Sequence, residues 1–111
     1  MSTPALIYAD NNATTPVAPE VVAAMQPYFG PEFFNPSSMY EPALQVAGAL
    51  KAARKTVATF LGGVEPSEVL FTSCATESNN AAIFGIAAAN PQRKHVVTSA
   101  VEHPAVLEVC R

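Results

Sequence analysis

The chain is 111 residues long, 50% hydrophobic and 14% charged, with a formal net charge of -3. Its six Lys and Arg are scattered and outnumbered by nine acids, so no basic face is offered to nucleic acid. The longest apolar run, Ala81 to Ala89, is about half of the roughly 20 residues that a membrane span requires, and no basic segment leads into a hydrophobic one at the start. Neither nucleic acid nor membrane is an expected partner, and the cytoplasm is the default compartment. Cys74 and Cys110 form neither a disulfide framework nor a metal-ligand spacing, so metal ligation by this chain is not expected.

In chain order, ALIYAD (residues 5 to 10) reads as a short strand or extended lead-in, ended by the polar cluster NNATTP. A helix is predicted after Pro19, where Val21, Val22, Met25 and Tyr28 recur near helical spacing. GPEFFNPSS (30 to 38) is loop, with Pro31 and Pro36 each removing an amide donor. A long helix is predicted from Glu41-Pro42 to Gly62-Gly63, with Leu50, Ala53, Val57, Phe60 and Leu61 along one face. EVLFTS (68 to 73) then reads as a strand, TESNNAAIFGIAAA (76 to 89) as a helix and HVVTSA (95 to 100) as a second strand. A further helix begins at Pro104.

Strand, helix, strand is a βαβ unit, which implies a parallel sheet covered by helices on both faces. The expected class is therefore α/β, mainly parallel sheet with covering helices. Two parts are expected: residues 1–62, a helical segment with loops, and residues 63–111, the start of a larger cofactor-binding α/β domain. One chain of this length supplies too little sheet to bury both faces, so it reads as the N-terminal part of a longer protein.

The turn FTSCATESNN (71 to 80) carries the chemistry. A strand-to-helix turn offers unpaired backbone amides and the positive end of a helix dipole, which suits a phosphate. Ala75 is small enough for close backbone approach, and Thr76 adds an amide and a hydroxyl. The competing reading is that Ser73, Thr76 and Ser78 simply cap the helix; no glycine-rich phosphate fingerprint accompanies the turn. Cys74 by itself is more ordinary as a small buried thiol than as a nucleophile.

His103 precedes Pro104, which biases it away from helical geometry and leaves its imidazole at the mouth of the next turn. There it either caps the following helix or serves a ligand, stacking on a flat ring or carrying a proton. A planar phosphorylated cofactor accounts for both turns.

At these residues the chain resembles the cysteine desulfurases, pyridoxal-phosphate enzymes like the class-V aminotransferases, and among them the nitrogen-fixation type. YADNNATTPV is similar to the family's YLDNNATT, FFNPSS to its FGNPSS, FTSCATESNN to its FTSGATESNN and VEHPAVL to its EHxAVL. Cys74 stands where most of the family has glycine, although the nitrogen-fixation type carries cysteine there. Phe34 replaces a glycine before Asn35, and Tyr40 stands where histidine is common.

The resemblance implies an aspartate-aminotransferase-like fold, a homodimer and pyridoxal 5'-phosphate as cofactor. It implies that Ala75 and Thr76 bind the cofactor phosphate, and that His103 stacks on its ring and takes part in catalysis. Asn11 and Asn12 receive no assigned contact. The implied reaction takes sulfur from L-cysteine, giving L-alanine and an enzyme persulfide that passes to an iron-sulfur scaffold protein. The family's Schiff-base lysine and persulfide cysteine lie in later motifs that Lys51, Lys55, Lys94, Cys74 and Cys110 do not match. Alternatives on the same scaffold are a selenocysteine lyase-like activity or an inactive truncated fragment.

Overall fold

The computed structural model describes residues 6–111, so Ala5, the first residue of the predicted leading strand, lies outside the described residues. Leu6 to Asp10 form no strand. They run into a turn in which the Ala13 amide donates to the Asp10 carbonyl at 3.0 Å. The Tyr8 hydroxyl lies 2.9 Å from the carbonyl oxygens of both Asp10 and Thr14 and holds the turn from one side.

The chain divides into two compact units, Met1–Pro66 and Ser67–Arg111. In the first, α1 (Pro19–Met25) opens on a proline, whose missing N–H and fixed φ suit a first helical position. It continues directly into the 3-10 turn Gln26–Phe29. In the loop that follows, the Asn35 side chain accepts from the Ser37 amide at 2.9 Å, and the Ser38 amide donates to the Asn35 carbonyl at 3.0 Å. Phe34 stacks on Phe33 with ring centroids 4.7 Å apart and meets Tyr40 edge-on at 6.0 Å. The two aromatic departures from the family's loop, Phe34 and Tyr40, thus pack against each other.

α2 (Glu41–Phe60) is a 20-residue helix with proline in its first turn and Glu41 at its positive end. It ends on two left-handed glycines, Gly62 (φ 94) and Gly63 (φ 85), a geometry that side chains disfavour. The Gly63 amide returns to the Ala58 carbonyl at 3.0 Å and the Gly62 amide to the Thr59 carbonyl at 3.2 Å, satisfying the last carbonyls in a Schellman closure. The buried residues of α2 are Ala43, Val46 and Ala58 rather than the expected stripe. Leu50 and Ala53 line an apolar concavity with Tyr28, Pro36, Val46 and Ala49, while Phe60 is 88% exposed.

In the second unit, α3 (Ala75–Ala89) packs against α4 (Pro104–Leu107) and the 3-10 turn Glu108–Cys110 that prolongs it. The helix of the predicted βαβ unit is in place, but its strands are not. Among the described residues there is no strand, and the expected segments 68–73 and 95–100 join no ladder. The β-branched and aromatic side chains there confer strand propensity, but a strand exists only where a neighbouring backbone receives its N–H and C=O groups. Leu70 at 71% and Val97 at 88% exposure leave apolar side chains uncovered.

Candidate functional site

The start of α3 is unusual in what it leaves unused. Cys74 occupies the N-cap in an extended conformation (φ -165, ψ 169), and its side chain makes no capping hydrogen bond. The neighbouring hydroxyls are engaged elsewhere. Both the amide and the hydroxyl of Ser73 donate to Glu77 Oε2 at 2.7 Å. Ser78 Oγ lies 2.6 Å from Thr72 Oγ1 and 3.4 Å from the Cys74 carbonyl oxygen. The competing reading, that Ser73, Thr76 and Ser78 cap the helix, is not what the start of α3 shows, since its N-cap is Cys74 and no side chain caps it. The first-turn amides at Ala75 and Thr76 keep the character of an anion seat at the positive end of a 15-residue helix.

His103 takes the capping role expected as one reading of its place. Pro104 holds it at ψ 145, outside the helix, and its Nδ1 accepts the Ala105 amide at 3.1 Å, capping α4. With Nδ1 accepting, the neutral ring carries its proton on Nε2. One face of the imidazole's chemistry is thus committed to structure and the other remains available.

The two turns meet. Thr76, Asn80 and Phe84 from α3, and His103, Pro104 and Ala105 from the α4 start, line one concavity of about 440 Å³. That volume lies within the range of small-ligand sites. Ala75 does not line it and sits one residue back, at the first position of the helix. Asn80 is oriented by donating its side-chain amide to the Thr76 carbonyl at 2.9 Å. Glu108 also borders the concavity, and Arg111 pairs with it at 2.8 Å. An aromatic wall, a hydroxyl and an imidazole, beside the first turn of α3, make a donor set that fits a planar ring bearing an anionic ester. Sequence reading missed Asn80, Phe84 and Glu77; the signal for Glu77 was its place three residues after the N-cap, where a capping-box glutamate stands.

Cys74 departs from the inert buried thiol favoured on sequence grounds, because it is exposed. The Glu77 backbone amide, then the Ser73 hydroxyl and the Thr76 backbone amide, hold its thiol below the ordinary value, against opposition from residual desolvation and the Glu77 carboxylate. A lowered value means more thiolate at neutral pH, and the thiolate is the reactive form. Alkylation with iodoacetamide, followed by mass spectrometry, is therefore expected to label Cys74 before the partly buried Cys110. Its rate midpoint is expected below that of an ordinary thiol; equal labelling of the two would contradict this.

A family model described as "Aminotransferase class-V" matches residues 7–111. Over 104 residues the chain is 53% identical to "Cysteine desulfurase NifS" of Azotobacter vinelandii, covering 94% of this chain and 26% of that relative. Over 106 residues it is 52% identical to "Cysteine desulfurase 1" of Trichormus variabilis, covering 96% and 26%. A solved structure titled "NIFS-LIKE PROTEIN" superposes with a TM-score of 0.79 at 40% identity, covering 89% of this chain and 27% of that one. The chain spans about a quarter of the length of the curated relatives it matches.

Proposed function

This chain belongs to the class-V aminotransferase family, and from that premise we propose that it forms the N-terminal, phosphate-binding part of a pyridoxal-phosphate-dependent cysteine desulfurase of the nitrogen-fixation type. The observation that carries the reading is the concavity shared by Thr76 and His103. The names of the similar proteins support the choice of reaction within the family.

When bound, pyridoxal 5'-phosphate supplies an electron sink for the substrate carbon. The chain's own residues do the rest of what is proposed. The Ala75 and Thr76 amides and the Thr76 hydroxyl hold the phosphate, with the dipole of α3 behind them. His103 holds the cofactor ring from the second turn, and its Nε2 proton is the one it can move, since Nδ1 is held by Ala105. The substrate is L-cysteine and the products are L-alanine and a persulfide destined for an iron-sulfur scaffold protein and metallocluster assembly.

The acting form is a homodimer in the cytoplasm, a compartment in which Cys74 and Cys110 stay reduced. Segments 68–73 and 95–100 enter the parallel sheet of the aspartate-aminotransferase-like fold once further strands flank them.

The test has two arms. Residues 1–111 alone are expected to release no sulfide from L-cysteine, because the lysine and persulfide cysteine of the family match no position here. The full-length protein, loaded with cofactor and supplied with excess reducing thiol to discharge the persulfide, is expected to release sulfide and alanine in equal amounts. Sulfide release by the short chain, or turnover of selenocysteine without turnover of cysteine by the long one, would overturn the assignment.

A further inference from the structure

The sequence offers the start of α3 two alternatives. Ser73 is a far better N-cap residue than Cys74. Were the helix to begin one residue earlier, Ser73 would be its N-cap, and its side-chain oxygen would face the amides of Ala75 and Thr76, the second and third helical positions in that register. Those are the amides proposed to hold the phosphate. A self-capped helix would therefore compete with the cofactor for its own seat.

The structure adopts the other register, with Cys74 at the N-cap and Ser73 turned to Glu77. One carboxylate oxygen, Oε2, receives both the amide and the hydroxyl of Ser73 at 2.7 Å. In this arrangement Ser73 lies outside the helix and Cys74 is extended. Thr72 secures the same turn from the other side, donating to the Cys74 carbonyl at 3.1 Å and meeting the Ser78 hydroxyl at 2.6 Å. Ser73 and Glu77 are both exposed, so neither contact is a by-product of core packing.

We infer that Glu77 is a positioning residue for the cofactor phosphate, which it serves by keeping Ser73 from capping α3. The inference rests on the phosphate assignment made above. It also runs against simple electrostatics. A carboxylate in the first turn repels a phosphate, so on charge alone its removal would tighten binding. The positioning role requires the opposite sign.

The experiment is a titration of the full-length apo-protein with pyridoxal 5'-phosphate, read as an equilibrium dissociation constant from cofactor absorbance and fluorescence quenching, without turnover. Glu77→Ala is expected to weaken binding by about fivefold or more, as befits loss of a charge-assisted pair of hydrogen bonds. Glu77→Gln, which keeps an oxygen to accept from Ser73, is expected to lose less. Adding Ser73→Ala to Glu77→Ala removes the competing cap and is expected to restore most of the affinity.

Unchanged or tighter binding by Glu77→Ala overturns the inference, as does a double variant no better than the single one. Helix content by circular dichroism separates these results from loss of fold, which Glu77→Gln, differing by one oxygen, is chosen to survive. If the unaltered protein takes up no cofactor, the phosphate assignment itself fails; if it binds and Glu77→Ala binds equally well, only the positioning role fails.

Discussion

Replacing Thr76 with valine in the full-length protein is expected to lower its affinity for pyridoxal 5'-phosphate by about ten- to a hundredfold, the worth of a hydrogen bond to a charged group. Valine keeps the β-branched shape and the backbone amide, so the change isolates the hydroxyl. No hydrogen bond from the Thr76 side chain contributes to the turn; its carbonyl, which valine retains, is what receives Asn80. Thr76 is also exposed, so the helix is expected to persist. Equilibrium titration by cofactor absorbance, with circular dichroism as a control for α3, measures the effect. An unaltered dissociation constant would remove Thr76 from the phosphate seat.

Replacing His103 is expected to have the larger effect on turnover, and the variant must be chosen with its capping duty in mind. Because Nδ1 caps α4 by accepting from Ala105, alanine would remove the ring and the cap together. Asparagine is a good N-cap in its own right and retains an acceptor while lacking an imidazole. His103→Asn is therefore expected to keep α4 and to lower cysteine desulfuration by about a hundredfold or more, the usual reach of a positioned acid-base group. The visible spectrum of the bound cofactor is expected to shift as the ring contact is lost. Full activity in His103→Asn would reduce His103 to a capping residue.

Glycine and proline wrote the element boundaries legibly into the sequence. Pro19, Pro42 and Pro104 mark helix starts, and Gly62-Gly63 mark the stop of α2, because each restricts the backbone locally and needs no distant partner. The strands were not legible in the same sense. VLF and HVV carry propensity, but pairing depends on what lies beside them in space. The spacing in α2 showed which side chains share a face but not how deeply each is buried, which goes to Ala43, Val46 and Ala58.

For the site, the placement of Thr76 and His103 was readable from the turn logic and from the family motifs. What the serines do was not, because a cluster such as TSCATES contains several mutually exclusive hydrogen-bond patterns. Only coordinates reveal that Glu77 captures Ser73 and that Thr72 meets Ser78. The lowered pKa of the Cys74 thiol follows from the neighbouring backbone amides of Glu77 and Thr76 and the Ser73 hydroxyl, which are not a property of any one residue letter.

The restraint on His103 has a thermodynamic consequence. Pro104 narrows its backbone, and the Ala105 amide pins the imidazole, before any ligand arrives. Freezing a mobile side chain on association commonly costs about 0.5 to 1.5 kcal/mol. Here much of that entropy is already surrendered during folding, so a flat ring arriving at this residue meets a preorganised contact.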